Sequence, residues 1–565
     1  MLTDHRSRPG EGKVILAAAI GSCVHVAGVH SFLRLARNYG YETRFLGPAV
    51  PVPTLVEEIE RQRPDIVAVS YRLTPSAAEN LLKELKEQVM VRGLTRTEFV
   101  FGGTPPVAAV ARRCGLFKAC FSGEDDAEVL SYLRRVPPDA VAEVFPDVLL
   151  ARLEAVAPRP LLRHHYGRPT LAETIAGVRA IAEAKAIDVI SLGPDQNAQE
   201  SFFRPTEQRP DEDGAGGVPV RTPADLRALK EAAQCGNYPL LRCYAGTRDL
   251  LKWAPMLVET INNAWAAVPL CWYSQLDGRS ERPVAEAIRE NQAAMRWHAE
   301  RGIPLEVNEP HHWGLRGAHD TVTVAAHYLA AYNARRAGAK TYVAQFMLNT
   351  PVGTSYPMDL AKMLAALDLL HELESDDFRI IRQVRTGLTS LATDPAVAKG
   401  QLISSLQLGL QLRPQIVHIV GFSEADHAAT AAEVIEAGRM VQGMLRNTRD
   451  GIPWAAGDLA VARRRAELVA EARVLLWAIG SLSRPASRDP DDELGLADPD
   501  AIAAAIRIGL LDAPQLLGRP GAAGRVATTL IDGAWHAVDP QTGRPLRETE
   551  RVGRLLDLYT EGKLA

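Results

Sequence analysis

Along residues 12–137 short apolar runs alternate with amphipathic stretches. Lys13–Gly21, Glu42–Leu46, Asp65–Ser70, Glu98–Phe101 and Ala119–Ser122 read as strands. Val29–Tyr39, Leu55–Arg63, Ala77–Gln88 and Asp126–Arg134 carry the spacing of helices. Strand and helix in strict alternation predict an α/β unit with a doubly wound, flavodoxin-like parallel sheet. Such sheets bind ligands beyond the carboxyl ends of their strands.

Residues 138–169 are rich in proline and have no steady period, and are expected to form a linker plus a helix leading into the next domain. From 170 to 450 the alternation resumes over the length of a (β/α)8, TIM-like barrel. Candidate strands are Asp188–Leu192, Leu240–Tyr244, Val268–Trp272, Leu305–Asn308, Thr341–Gln345 and Ile416–Val420. Arg204–Gly217 is expected to be a mobile loop, and 451–565 a C-terminal helical and tail extension.

Composition narrows the function. Of 565 residues, 47% are hydrophobic and 23% charged, the mix of a soluble globular protein. The net charge of −4 and the lack of Lys/Arg runs offer nothing to nucleic acid. No apolar stretch is long enough to span a bilayer, and Met1–Gly12 lacks a signal-peptide core. No membrane contact and a cytoplasmic location are therefore expected. The six cysteines are scattered without a CxxC, which disfavours structural zinc, iron–sulfur clusters and disulfides.

After the first strand comes Ser22-Cys23-Val24-His25-Val26-Ala27-Gly28. A histidine on that loop sits at the ligand edge and can bind a transition metal. Taken alone, it is more often a surface or packing residue. With Ser70 ending the third strand and Gly102-Gly103 after the fourth, the segment resembles the cobalamin-binding domains of methionine synthase, methylmalonyl-CoA mutase and glutamate mutase. The resemblance implies that His25 ligates the cobalt of cobalamin. Ser70, Gly102 and Gly103 would line the nucleotide tail, and Gly28 would let the following helix approach the bulky ligand closely. The family's aspartate two residues before the histidine is Cys23 here, so the usual support for the imidazole is missing.

The barrel region resembles the large subunit of glutamate mutase (methylaspartate mutase). The resemblance rests on Pro239–Arg242 followed by Gly246–Leu251, Trp272–Gln275, Val307–Pro310, Gly421–Ala425 and Ala505–Pro514, in collinear order. It implies an adenosylcobalamin-dependent carbon-skeleton mutase that rearranges a substrate radical. The cobalamin domain would cap the barrel mouth. Arg242 is the leading candidate to grip a substrate carboxylate, Arg221 a second and Arg163 a looser third. Glu424 matches the glutamate that holds the adenosyl ribose.

Other family positions differ. The lysine four residues before Glu424 is Val420, and the glutamate that contacts substrate falls at Leu276, beside Asp277. The expected substrate is thus a small carboxylate other than glutamate, and a homodimer is expected. His311-His312 and His319 match no common metal-ligand spacing and read as polar residues at the barrel mouth. Rival readings are a corrinoid methyltransferase, or a non-catalytic cobalamin-binding or sensory protein.

Overall fold

The computed structural model describes residues 9–122, 126–135, 145–244, 246–448, 457–483, 489 and 491–564. Two compact units divide between Val144 and Phe145. The expected boundaries at 137/138 and 450/451 both fall outside the described residues.

The first unit holds five parallel strands: β1 Val14–Ile20, β2 Glu42–Val50, β3 Ile66–Ser70, β4 Glu98–Gly102 and β5 Ala119–Phe121. Their order is β2-β1-β3-β4-β5, with helices on both faces, as the alternation predicts. One face buries Leu16, Ala18, Val67, Val69, Phe99 and Phe101. The other buries Ile15, Ala17, Ile66 and Ala68 against Phe32 and Leu33 of the helix Ala27–Asn38. A strand with both faces covered reads as an unbroken apolar run, which is why β1 was plain in the sequence. The order reverses between β1 and β3. The loops after these strands therefore leave in opposite directions and open a crevice at their carboxyl ends.

The second unit contains eight parallel strands: β6 Leu161–Tyr166, β7 Val189–Leu192, β8 Leu240–Cys243, β9 Ala266–Val268, β10 Leu305–Val307, β11 Thr341–Met347, β12 Arg379–Arg385 and β13 Ile416–Ile419. They run β8-β7-β6-β13-β12-β11-β10-β9, a nearly closed barrel whose ends are β8 and β9. An antiparallel hairpin follows, β14 Ala527–Ile531 and β15 Ala534–Val538.

Three sequence expectations change. The stretch read as linker and helix does contain the helix Leu149–Val156, but it then supplies β6, which pairs with β13 and β7. The strand expected at Val268–Trp272 lies earlier, at Ala266–Val268. Leu270 and Cys271 instead bend toward Glu309, to which their N–H groups donate. The loop 204–217 is pinned: Asp195 accepts from the Gly214 N–H, and Asn197 brackets Arg209 through both its N–H and its carbonyl.

The barrel interior is layered. At one end Leu161, Val189, Leu240, Val343, Ile381 and Ile416 close an apolar plug with Leu149 and Leu153. Two residues further along, β6, β7, β8 and β12 each present a polar group, namely Arg163, Ser191, Arg242 and Gln383. All four are fully or almost fully buried.

Candidate functional site

In the first unit the expected residues converge on the crevice. His25 follows β1 and is exposed, while Cys23 is fully buried. The Cys23 Sγ lies 4.0 Å from His25 Nδ1. The thiol thus stands where the family's carboxylate would, as a weaker partner for the imidazole. Ala19 of β1 pairs with Ser70 of β3, and Ser70 with Gly102 of β4, so both expected tail contacts lie side by side at the strand ends. A Cβ on Gly28 or Gly102 would meet nothing within 4 Å, whereas one on Gly103 would strike the Tyr71 carbonyl at 2.4 Å. Gly103 is therefore needed for the fold, and Gly28 and Gly102 leave open space. An exposed imidazole beside an open, glycine-lined cleft fits a cobalamin.

In the barrel the polar residues form one connected network. Arg163 donates to Ser191 at 2.7 Å and to Gln383 at 2.8 Å, and pairs with Glu306 at 3.2 Å. Glu306 also accepts from Trp265 Nε1 at 2.7 Å. Burial alone would raise its carboxyl, but Arg242 and Arg163 hold it down to about 2. Gln383 donates to Gln345, whose carbonyl accepts from His418 Nδ1 at 3.1 Å and whose amide donates to His311 Nδ1 at 3.2 Å. Burial keeps His311 and His418 neutral, with nearby arginines adding to the effect.

Above this layer a cavity of about 550 Å³ opens at the carboxyl ends of the strands. Arg163, Arg385, His311, His312 and Leu276 line it, and the C-terminal extension adds Arg519. Arg163 is thus placed at the cavity, and its guanidinium is already engaged by the network. Arg242 does not line the cavity. It is 0% exposed beneath it, paired with Glu306 at 3.2 Å and flanked by the rings of Trp265 and Tyr244 at 5.3 Å. Strand pairing explains this placement: Arg242 faces Ser191, one layer below the strand ends. Arg221 is also elsewhere. Both its terminal nitrogens hold the fully buried Asp195, at 2.6 and 2.9 Å, so it clamps the 204–217 loop.

The residue missed from the sequence is Arg385. It ends β12, is only 9% exposed and lines the cavity, and its Nε has no hydrogen-bond partner. Burial lowers its guanidinium, and it acts on Glu424 across from it. Glu424 follows β13 and is solvent-exposed; crowding by the surrounding protein raises its carboxyl against the pull of Arg385. Asp277 cannot swing in to replace the missing glutamate. Its oxygens already accept the Tyr273, Ser274 and Arg279 N–H groups. His319 is bound instead to Glu548, away from His311 and His312. No group of three His, Cys, Asp or Glu side chains suited to a metal ion occurs among the described residues. Nor is any helix among them long and apolar enough to cross a membrane.

Comparison with known proteins bears on the first unit. No curated protein matches the chain. Among solved structures, a cobalamin-binding protein from Desulfitobacterium hafniense DCB-2 is 25% identical over 22% of this chain and 59% of its own, with a TM-score of 0.20. The match therefore spans less than two thirds of that protein. The signal receiver domain of a NarL response regulator from Mycobacterium tuberculosis is 15% identical, covering 22% of this chain and 94% of its own, with a TM-score of 0.17. The family model of the B12 binding domain matches residues 13–131, so the unit that presents His25 is a B12 binding domain.

Proposed function

We propose that the chain is an adenosylcobalamin-dependent carbon-skeleton mutase acting on a small carboxylate. The observation that carries this reading is a B12 binding domain on the same chain as a barrel cavity lined by the buried Arg385, whose Nε has no hydrogen-bond partner. A buried guanidinium without an anion is costly, and a substrate carboxylate is its natural partner.

When bound, adenosylcobalamin supplies a cleavable cobalt–carbon bond as a source of radicals. His25 would ligate the cobalt, with Ser70 and Gly102 lining the tail. Glu424 would accept the ribose hydroxyls. Arg385 orients the substrate carboxylate. His311 and His312, held neutral, add hydrogen bonds without charge. The walls built by Leu276, Leu315 and Leu388 limit water around a reactive species. Leu276 offers nothing to an ammonium group, which supports a substrate other than glutamate.

The test is cob(II)alamin formation triggered by a panel of carboxylic acids. An acid that elicits the signal in the native protein, and fails to in Arg385→Ala with cobalamin still bound, supports the reading. A strong response to glutamate, or full response in Arg385→Ala, overturns it. A methyl transferred to an acceptor from methylcobalamin, with no response to any acid, would favour a corrinoid methyltransferase.

A further inference from the structure

The cavity carries more positive charge than one carboxylate can balance. Arg385 stands at the end of β12. A second group of arginines comes from elsewhere: Arg279 from the turn after β9, Arg316 from the helix after β10, and Arg519 from the C-terminal extension. These three crowd together. The Arg519 Nη1 lies 3.0 Å from the point where a Cβ on Gly278 would sit, next to Arg279. Arg279 and Arg519 both act on the Arg316 guanidinium, which burial already lowers. Like charges in such proximity repel unless an anion joins them.

The protein holds the three in place by other means. Arg316 lies 4.2 Å over the Trp272 ring and donates to the His312 carbonyl. Arg279 stacks at 5.2 Å over Tyr273. The loop carrying Arg519 is closed by Asp512, which accepts the N–H groups of Ala513, Gly524, Arg525 and Val526. Asp277 lies 3.9 Å from Arg279, with its oxygens already committed to backbone N–H groups, and Glu309, which also acts on Arg316, has its carboxyl pushed up to about 7 by burial. Three guanidiniums against Asp277 with Glu309 protonated leave a surplus of two positive charges. A carboxylate would cancel one of these and a phosphate dianion both. Guanidinium forks also match phosphate oxygens in geometry.

We propose that Arg279, Arg316 and Arg519 form a dianion subsite that takes a phosphate-type group on the substrate, while Arg385 takes its carboxylate. The inference rests on the barrel cavity being the substrate site. The neutral pair His311 and His312 would lie along the uncharged middle of such a molecule, since both imidazoles feel Arg316 and Arg385. The C-terminal extension thereby sets specificity.

The experiment uses the full chain free of cobalamin, so it is independent of the radical chemistry. Inorganic phosphate is titrated at constant ionic strength and followed by calorimetry and by the emission of Trp272, with Trp272→Phe identifying that signal. Saturable binding is expected. It should weaken about tenfold or more in Arg519→Gln and in Arg279→Gln. Near-ultraviolet circular dichroism confirms that these surface variants are folded. Acetate should bind about tenfold more weakly than phosphate. Absence of saturation, equal binding of acetate, or loss of binding only in Arg385→Gln overturns the proposal. If phosphate binds as expected and no acid elicits cob(II)alamin, the mutase reading fails alone. If an acid elicits cob(II)alamin and phosphate does not bind, this proposal fails alone.

Discussion

The two units solve one problem in opposite ways. Both are built of parallel strands and both gather candidate site residues at the carboxyl ends. In the first unit the sheet is apolar on both faces, and the site consists of one exposed imidazole beside small residues. In the second the polar groups run into the barrel itself, where Arg163, Arg242, Glu306 and Gln383 are each at most 1% exposed. An open sheet meets its ligand with an edge, so a single loop residue can carry the interaction. A barrel meets its ligand with a cavity, so many strands must each contribute, and a charge placed one layer too deep serves the cavity only indirectly.

This contrast makes His25→Ala the most damaging single change. Electron paramagnetic resonance of bound cob(II)alamin should show coupling to an imidazole nitrogen in the native protein and none in the variant. Unchanged coupling would mean that the exposed imidazole is not the ligand. In the barrel no one residue should have so complete an effect on cofactor ligation. Glu424→Gln should weaken adenosylcobalamin by about 1.5–3 kcal/mol, the worth of a hydrogen bond to a charged group. Methylcobalamin has no ribose there and should be little affected. Equal losses for both would remove Glu424 from the ribose. The smallest effect is expected at Arg221. Arg221→Ala leaves the buried Asp195 without its cation and should cost on the order of 2 kcal/mol in chemical denaturation, reduced by the partial exposure of Arg221. Activity per folded molecule should be unchanged, and a selective loss of turnover would return Arg221 to the site.

The same contrast explains what could be read in advance. β1, β3 and β4 stand out because both their faces are apolar, and His25, Ser70 and Gly102 sit in or within a few residues of those strands. Two barrel strands escaped. In β6 the run Leu161–Tyr166 carries Arg163, His164 and His165, and in β12 Arg379–Arg385 carries three arginines and Gln383. Strands that line a polar interior lose the apolar signature that marks a buried strand. Arg385 was missed with its strand. The family resemblance offers Arg242 as the carboxylate grip, but depth in a barrel depends on the stagger between neighbouring strands, which local sequence does not carry. Arg519 was out of reach for another reason: its place at the cavity depends on Asp512 closing a loop far from the barrel strands in sequence.

That loop also sets an order of events. Residues 515–519 are synthesised long after the eight strands, so the cavity lacks a wall until the ribosome has passed Asp512 and the four N–H groups have been collected. The B12 binding domain emerges first and can fold while the barrel is still incomplete. Folding of the B12 binding domain and completion of the barrel cavity are thus separated in the life of each molecule, and a nascent chain stalled before the last segment would have the first while the cavity was still open on one side.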